Sequence, residues 1–224
     1  MRRYGFVLTA VGALVIAFGC VADGSPARWA LGWLGASFIA VGIAYARGYA
    51  GAFGKREDGR LAAHRVVALL PYLALTWAIW HLARWVAREA PTSRAAPGLW
   101  LARRLRPSEV PPDVETIVDL TAELAEPQAI RERSGYRAFP ILDGGHPSVR
   151  ALSAVLRAIP RSGTVLFHCA QGHGRTAMVA CCWLLETATV RTHEAAEAMV
   201  VAARPGARMN GTQRDFVRAY AASL

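Results

Sequence analysis

The chain has 224 residues, 54% of them hydrophobic and 19% charged, with a net charge of +10. That length accommodates one domain of ordinary size plus a further segment, and the four cysteines follow no spacing that suggests a zinc site or a disulfide framework. Lys55 is the only lysine among 26 basic residues, and no aromatic-basic interleave or nucleic-acid motif accompanies the charge, so no nucleic-acid partner is expected.

The composition shifts along the chain. Tyr4 to Ala22 and Trp29 to Ala46 contain no charged residue, and Val66 to Val86 carries only His81 and Arg84 near its far end. Each of the first two runs is about 19 residues, or roughly 28 Å as a helix, which matches the hydrocarbon core of a bilayer. Tyr4, Trp29, Trp33, Tyr45, Tyr49, Trp77, Trp80 and Trp85 fall mostly near the ends of the runs, as an interfacial aromatic belt does. Small residues spaced by four (Ala13 and Ala17, Gly32 and Ala36, Gly42 and Ala46) suit close helix packing.

Residues 1–86 are therefore expected to form an α-helical membrane region of about three transmembrane helices, with the bilayer as a partner. Met1-Arg2-Arg3 before an apolar stretch also fits a cleaved signal peptide, but two further spans follow, so a multi-pass membrane protein is the better reading. Arg84, Arg88, Arg94, Arg103, Arg104 and Arg106 cluster after the third run, where they suit anionic headgroups. Basic residues flank both ends nearly equally, so the positive-inside rule does not choose an orientation. A cytoplasmic catalytic domain is expected only because thiols stay reduced there.

Residues 87–98, with two prolines and small polar residues, read as a linker. Beyond it, the pattern predicts a strand over 115–120, a helix over 123–133 interrupted early by Pro127, and a strand over 136–141. A turn-rich loop from Asp143 then leads to Ser148, which caps a helix ending before Pro160. A strand over 164–168, a helix over 175–187, a helix capped by Thr192 and a last helix over 212–221 complete the chain. Strands alternating with helices imply an α/β domain over 99–224 with a mainly parallel sheet flanked by helices.

The most specific stretch is His168-Cys169-Ala170-Gln171-Gly172-His173-Gly174-Arg175-Thr176. A buried strand, a tight glycine-bearing loop and a helix N-terminus together make an anion cradle. A cysteine at its base is expected to serve as a thiolate nucleophile.

The pattern Cys-x5-Arg within His-Cys-x-x-Gly-x-Gly-Arg-Thr resembles the signature of the cysteine-dependent protein tyrosine phosphatase superfamily, in its dual-specificity branch. The resemblance covers about residues 99–224. It implies a phosphoric monoester hydrolase in which Cys169 attacks phosphorus to form a cysteinyl-phosphate. Ala170, Gln171, Gly172, His173 and Gly174 would bind the phosphate together with Arg175, whose planar fork suits two non-bridging oxygens. His168 and Thr176 would support the loop, Thr176 by a hydroxyl hydrogen bond to the thiolate.

Asp143 would be the general acid, with Asp119 as its competitor inside a strand. The closing pattern Arg204-Pro205, Asn210, Gln213 and Phe216 also resembles this branch, with Gln213 assigned to structural closure. The resemblance implies no cofactor and no metal. The substrate would be a phosphoprotein or a phospholipid. The weakly basic loop interior argues against a polyphosphorylated headgroup, while tethering favours a membrane-borne phosphate. A catalytically weak phosphate-binding regulatory domain is the alternative, and sulfur transfer or arsenate reduction would need redox cysteines that Cys181 and Cys182, on an apolar helix, are badly placed to supply.

Overall fold

The computed structural model describes residues 2–21, 26–86 and 89–224. Ala22, at the end of the first apolar run, and Arg88 of the arginine cluster lie outside the described residues. The chain divides into two units, one within Met1–Arg56, Arg60–Ala87 and Ala122–Leu124, the other within Glu57–Gly59, Arg88–Thr121 and Ala125–Leu224.

The first unit contains α1 (Arg2–Val21), α2 (Ala27–Arg47) and α3 (Ala63–Val86), all long and apolar enough to cross a membrane. The contact between α1 and α2 is set by glycines. A Cβ on Gly12 would lie 2.5 Å from the Gly35 carbonyl oxygen, and one on Gly5 would lie 2.6 Å from that of Gly42. The contact positions Gly5, Gly12 and Gly19 recur every seven residues, as do Gly35 and Gly42. Seven residues are two turns of a supercoiled helix pair, which keeps the glycines on one seam. Of the four-residue pairs expected from sequence, Gly42 and Ala46 lie in that seam against Gly5, whereas Gly32 faces open space and Ala13 and Ala17 are exposed.

The second unit is an α/β fold. Its elements are β1 (Thr92–Ala96), β2 (Leu99–Arg103), β3 (Thr116–Thr121), α4 (Gln128–Arg131), β4 (Tyr136–Ile141), α5 (Val149–Arg157), β5 (Val165–Cys169), α6 (Gly174–Glu186), α7 (His193–Ala203) and α8 (Gly211–Ala221). The sheet order is β1-β2-β5-β3-β4, parallel throughout except for β1 against β2.

Three elements differ from expectation, the first being β2, a strand that the sequence pattern does not mark. Within the expected linker 87–98, Thr92–Ala96 is an edge strand, because Pro97-Gly98 closes a hairpin instead of interrupting structure. Gly98 has φ +73° and Ala96 faces Leu99. Proline followed by a left-handed glycine is the sequence of a type II turn. The helix expected over 123–133 shrinks to α4, because Pro127 is extended (ψ 140°) and disfavours helix in the residue before it.

The strands alternate as their period of two requires. Leu99, Leu101, Val118, Leu120, Val165 and Phe167 face the main core shared with α5 to α8, while Ala102, Ile117 and Leu166 face a smaller cluster with Ile130 on the other side. Every residue from Arg175 to Leu185 is buried, so α6 is the central helix behind the sheet.

Gly12→Val should lower the unfolding free energy of the chain in detergent micelles by about 1–3 kcal/mol, as backbone has no room to yield. Gly32→Val should change it by less than about 0.5 kcal/mol; denaturant titration of both variants tests the seven-residue seam.

Candidate active site

Parallel strands place their carboxyl ends at one edge of the sheet, where α/β folds bind ligands. Here β5 ends at Cys169, β3 at Thr121 and β4 at Ile141, and the Cys169 loop runs directly into α6. Gly172 takes φ +74°, and a Cβ on it would lie 2.6 Å from the Ala102 carbonyl in β2. Only glycine meets both demands.

The carbonyls of Ala170 and Gln171 accept from the Arg104 N–H (3.3 Å) and the Arg204 guanidinium (3.2 Å). In a planar trans peptide the N–H points opposite to the C=O. The N–H groups of Gln171 and Gly172 are thereby directed away from these donors, as a loop that cradles an anion requires.

Arg175 is a buried cation, at 1% side-chain exposure. Its Nη1 donates to the carbonyls of Ile141 (3.0 Å) and Leu120 (3.4 Å), at the ends of β4 and β3. Its Nη2 lies 3.3 Å from Asp143 Oδ1, on a carboxylate 71% exposed. Cys169, Arg175 and Asp143 are thus brought to the same strand ends.

Asp119 is placed differently. It is fully buried and accepts from the Thr121 N–H (2.8 Å), the Thr121 hydroxyl (2.6 Å) and the Tyr136 hydroxyl (2.8 Å). Burial, then the Asp119 charge, raises the Tyr136 phenol well above its ordinary range, so it stays a donor.

His168 is buried below the loop, with Nε2 3.9 Å from Asp119 and 4.0 Å from Glu126. Asp119, Glu126 and His168 bring ligand atoms within 4.8 Å of one another, a grouping that could hold a cation. Both Asp119 oxygens are committed to Thr121 and Tyr136, and Glu126 faces Arg104 at 3.4 Å. The group reads as a polar brace beneath the loop. Thr176 is fully buried, and its hydroxyl makes no hydrogen bond among the described residues, so the bond expected toward Cys169 is not formed in this conformation.

The Asp143 loop is clamped from α8. Asn210 and Gln213 form a reciprocal capping box (2.9 and 3.2 Å). The same side chains donate outward, Asn210 Nδ2 to the Gly144 carbonyl (2.8 Å) and Gln213 Nε2 to that of Gly145 (3.3 Å). A Cβ on Gly174 would lie 2.9 Å from Gln213, so the Cys169 loop and the Asp143 loop rest on one amide.

Two rim residues were not legible as site residues. Arg204, seen only as a closing motif, is buried against the loop, and Glu89 of the expected linker meets it. Glu89 Oε2 accepts from His173 Nε2 (2.8 Å) and lies 3.3 Å from Arg204 Nη2. The His173 hydrogen bond holds the Glu89 carboxyl below its ordinary range against the opposing effect of burial, aided by Arg204 and Arg103. Cys181 and Cys182 are remote from this chemistry: burial pushes Cys181 up to about 12, and Cys182 well above its usual value. Such thiols do not supply redox partners at neutral pH.

Residues 109–189 match the family described as polymorphic toxin system, DSP-PTPase phosphatase. Among solved structures, the fold is similar to Tk-PTP in its active form, at 24% identity and TM-score 0.54, covering 60% of this chain and 98% of that one. It is similar also to human DUSP28 (23%, TM-score 0.53, 61% and 96%) and to the human tyrosine phosphatase-like serine/threonine/tyrosine-interacting protein (20%, TM-score 0.53, 60% and 98%). No curated protein matches the sequence. The second unit thus shares the fold of these phosphatase structures, and its nucleophile-loop motif lies within the 109–189 stretch that matches the phosphatase family model.

Gly172→Ala should destabilise the chain by about 1–3 kcal/mol, from left-handed strain and overpacking against β2. It should also remove aryl phosphate turnover; wild-type thermal stability in this variant would show that the loop can relax.

Proposed function

We propose that this chain is a membrane-anchored phosphatase that hydrolyses phosphomonoesters of a phosphoprotein or phospholipid through a cysteinyl-phosphate intermediate. Residues 1–86 would be its membrane region, and the catalytic domain would include β1 as well as residues 99–224. The observation that carries the reading is the convergence of Cys169, Arg175 and Asp143 at the carboxyl ends of β5, β3 and β4.

In the first step the Cys169 thiolate attacks phosphorus, the S–P bond forms and the P–O bond to the leaving group breaks. Arg175 and the loop N–H groups hold the non-bridging oxygens as charge builds on them. Asp143, within 3.3 Å of that guanidinium, gives its proton to the leaving oxygen. In the second step Asp143 takes a proton from water, whose oxygen attacks phosphorus and releases inorganic phosphate and the thiolate. Asp119, with both oxygens bonded beneath the loop, is the poorer acid.

The apolar helices support anchoring by their length and composition. Anchoring raises the local concentration of a membrane-borne phosphate. His173 is the sole interior loop residue able to add positive charge, and that favours a substrate with a single phosphate.

Cys169→Ser should abolish hydrolysis of an aryl phosphate; normal turnover would overturn the mechanism. Asp143→Asn should cost about 10²- to 10⁴-fold in kcat for a substrate with a poor leaving group and should exceed the loss in Asp119→Asn, the reverse order reassigning the acid. Turnover by the full chain in lipid of phosphopeptides, phosphatidylglycerophosphate and phosphoinositides tests the substrate class. Binding without turnover across that panel would favour the regulatory alternative.

A further inference from the structure

An acidic side chain at the mouth of an anion cradle is chemically out of place. Glu89 lies three residues before β1, and its Oε2 meets two basic side chains of the rim at once, His173 at 2.8 Å and Arg204 at 3.3 Å. The mechanism uses neither side chain, and Arg103 and Arg104, which also border the loop, face Glu109 (3.5 Å) and Glu126 (3.4 Å). His173 belongs to the loop itself. Arg204, with a side chain only 3% exposed, donates to the Gln171 carbonyl of the loop, and the charges of Cys169 and Glu89 both favour its cationic form against burial.

The remaining hydrogen bonds of Arg204, to the Ala90 carbonyl (3.1 Å) and Ser93 Oγ (3.4 Å), are to neutral groups. Glu89 is thus the carboxylate that faces this guanidinium. The fit is close, since a Cβ on Gly206 would lie 1.9 Å from Glu89 Oε1. The glycine leaves the space that the carboxylate fills.

A substrate bearing a second phosphate beside the scissile one would place it against this rim. Bare, His173 and Arg204 would attract it. Covered, they present a carboxylate, and a second anion would have to displace it or sit beside a like charge.

We propose that Glu89 is a specificity-determining residue, covering a cationic rim subsite so that the enzyme takes phosphomonoesters without a second anionic group next to the first. The assignment rests on the phosphomonoesterase reading above, and it narrows that reading to isolated monoesters. Glu89 acts by occupying the subsite and takes no part in the bond-breaking steps. Its side chain is 42% exposed, so its substitution does not disturb the core.

The test uses the full chain in detergent micelles, with hydrolysis of an aryl phosphate as the signal and two inhibitors, inorganic phosphate and pyrophosphate. In the wild type, pyrophosphate should inhibit no better than phosphate. In Glu89→Gln and in Glu89→Ala, the inhibition constant of pyrophosphate should fall by about tenfold, while that of phosphate and the turnover of the aryl ester stay within about twofold. An unchanged ratio of the two constants in both variants overturns the assignment. An equal fall for both inhibitors also overturns it, as that would be a general field effect. A wild-type chain that neither hydrolyses the ester nor is inhibited by phosphate overturns the phosphomonoesterase reading, and this inference with it.

Discussion

The burial of the Arg175 guanidinium organises the catalytic unit. Removing such a charge from water costs several kcal/mol even after relaxation, unless every side of it is met by polar partners. Here those partners are the terminal carbonyls of two strands and the carboxylate of the acid loop. Satisfying one side chain therefore fixes β3, β4 and the Asp143 loop relative to the start of α6. Because Arg175 is the second residue of that helix, the nucleophile loop before it is fixed as well. In the proposed mechanism, a phosphoryl group arriving above Cys169 would meet a cation already oriented, which is the preorganisation that electrostatic catalysis needs.

The sheet and its helices were legible where a local signal coincided with a strong hydrophobic pattern. β4 stands at 136–141 as expected, and Ser148 and Thr192 each accept a backbone N–H at the start of the helix they were expected to cap. Each such cap contributes about 1 kcal/mol, so its signal survives in sequence. The loop around Cys169 was legible for another reason, since its chemistry tolerates few residue types at each position.

What the sequence concealed depended on partners far along the chain. Thr92–Ala96 lacks the apolar alternation of a strand and is held as one by its pairing with β2. The seven-residue glycine spacing of the α1–α2 seam was not read, and only the facing helix shows that Gly42 and Ala46 lie in it while Gly32 does not. Glu89 and Arg204 are 115 positions apart, and neither carries a mark of the other. Asn210 and Gln213 stood in the sequence only as a closing pattern, which does not say that their amide groups hold Gly144 and Gly145.

That last pair shows how a small domain joins two loops without adding elements to do so. An Asn-x-x-Gln cap needs only one oxygen from each side chain to satisfy the helix N-terminus. The amide nitrogens are then available, and the acid loop supplies carbonyls that need donors. Gln213 sits against Gly174 as well, so displacement of α8 would disturb the acid and the cradle together. The position of Asp143, on an exposed loop beside a glycine pair, is therefore not left to the loop's own preferences. The start of α8 holds it, through the carbonyls of Gly144 and Gly145.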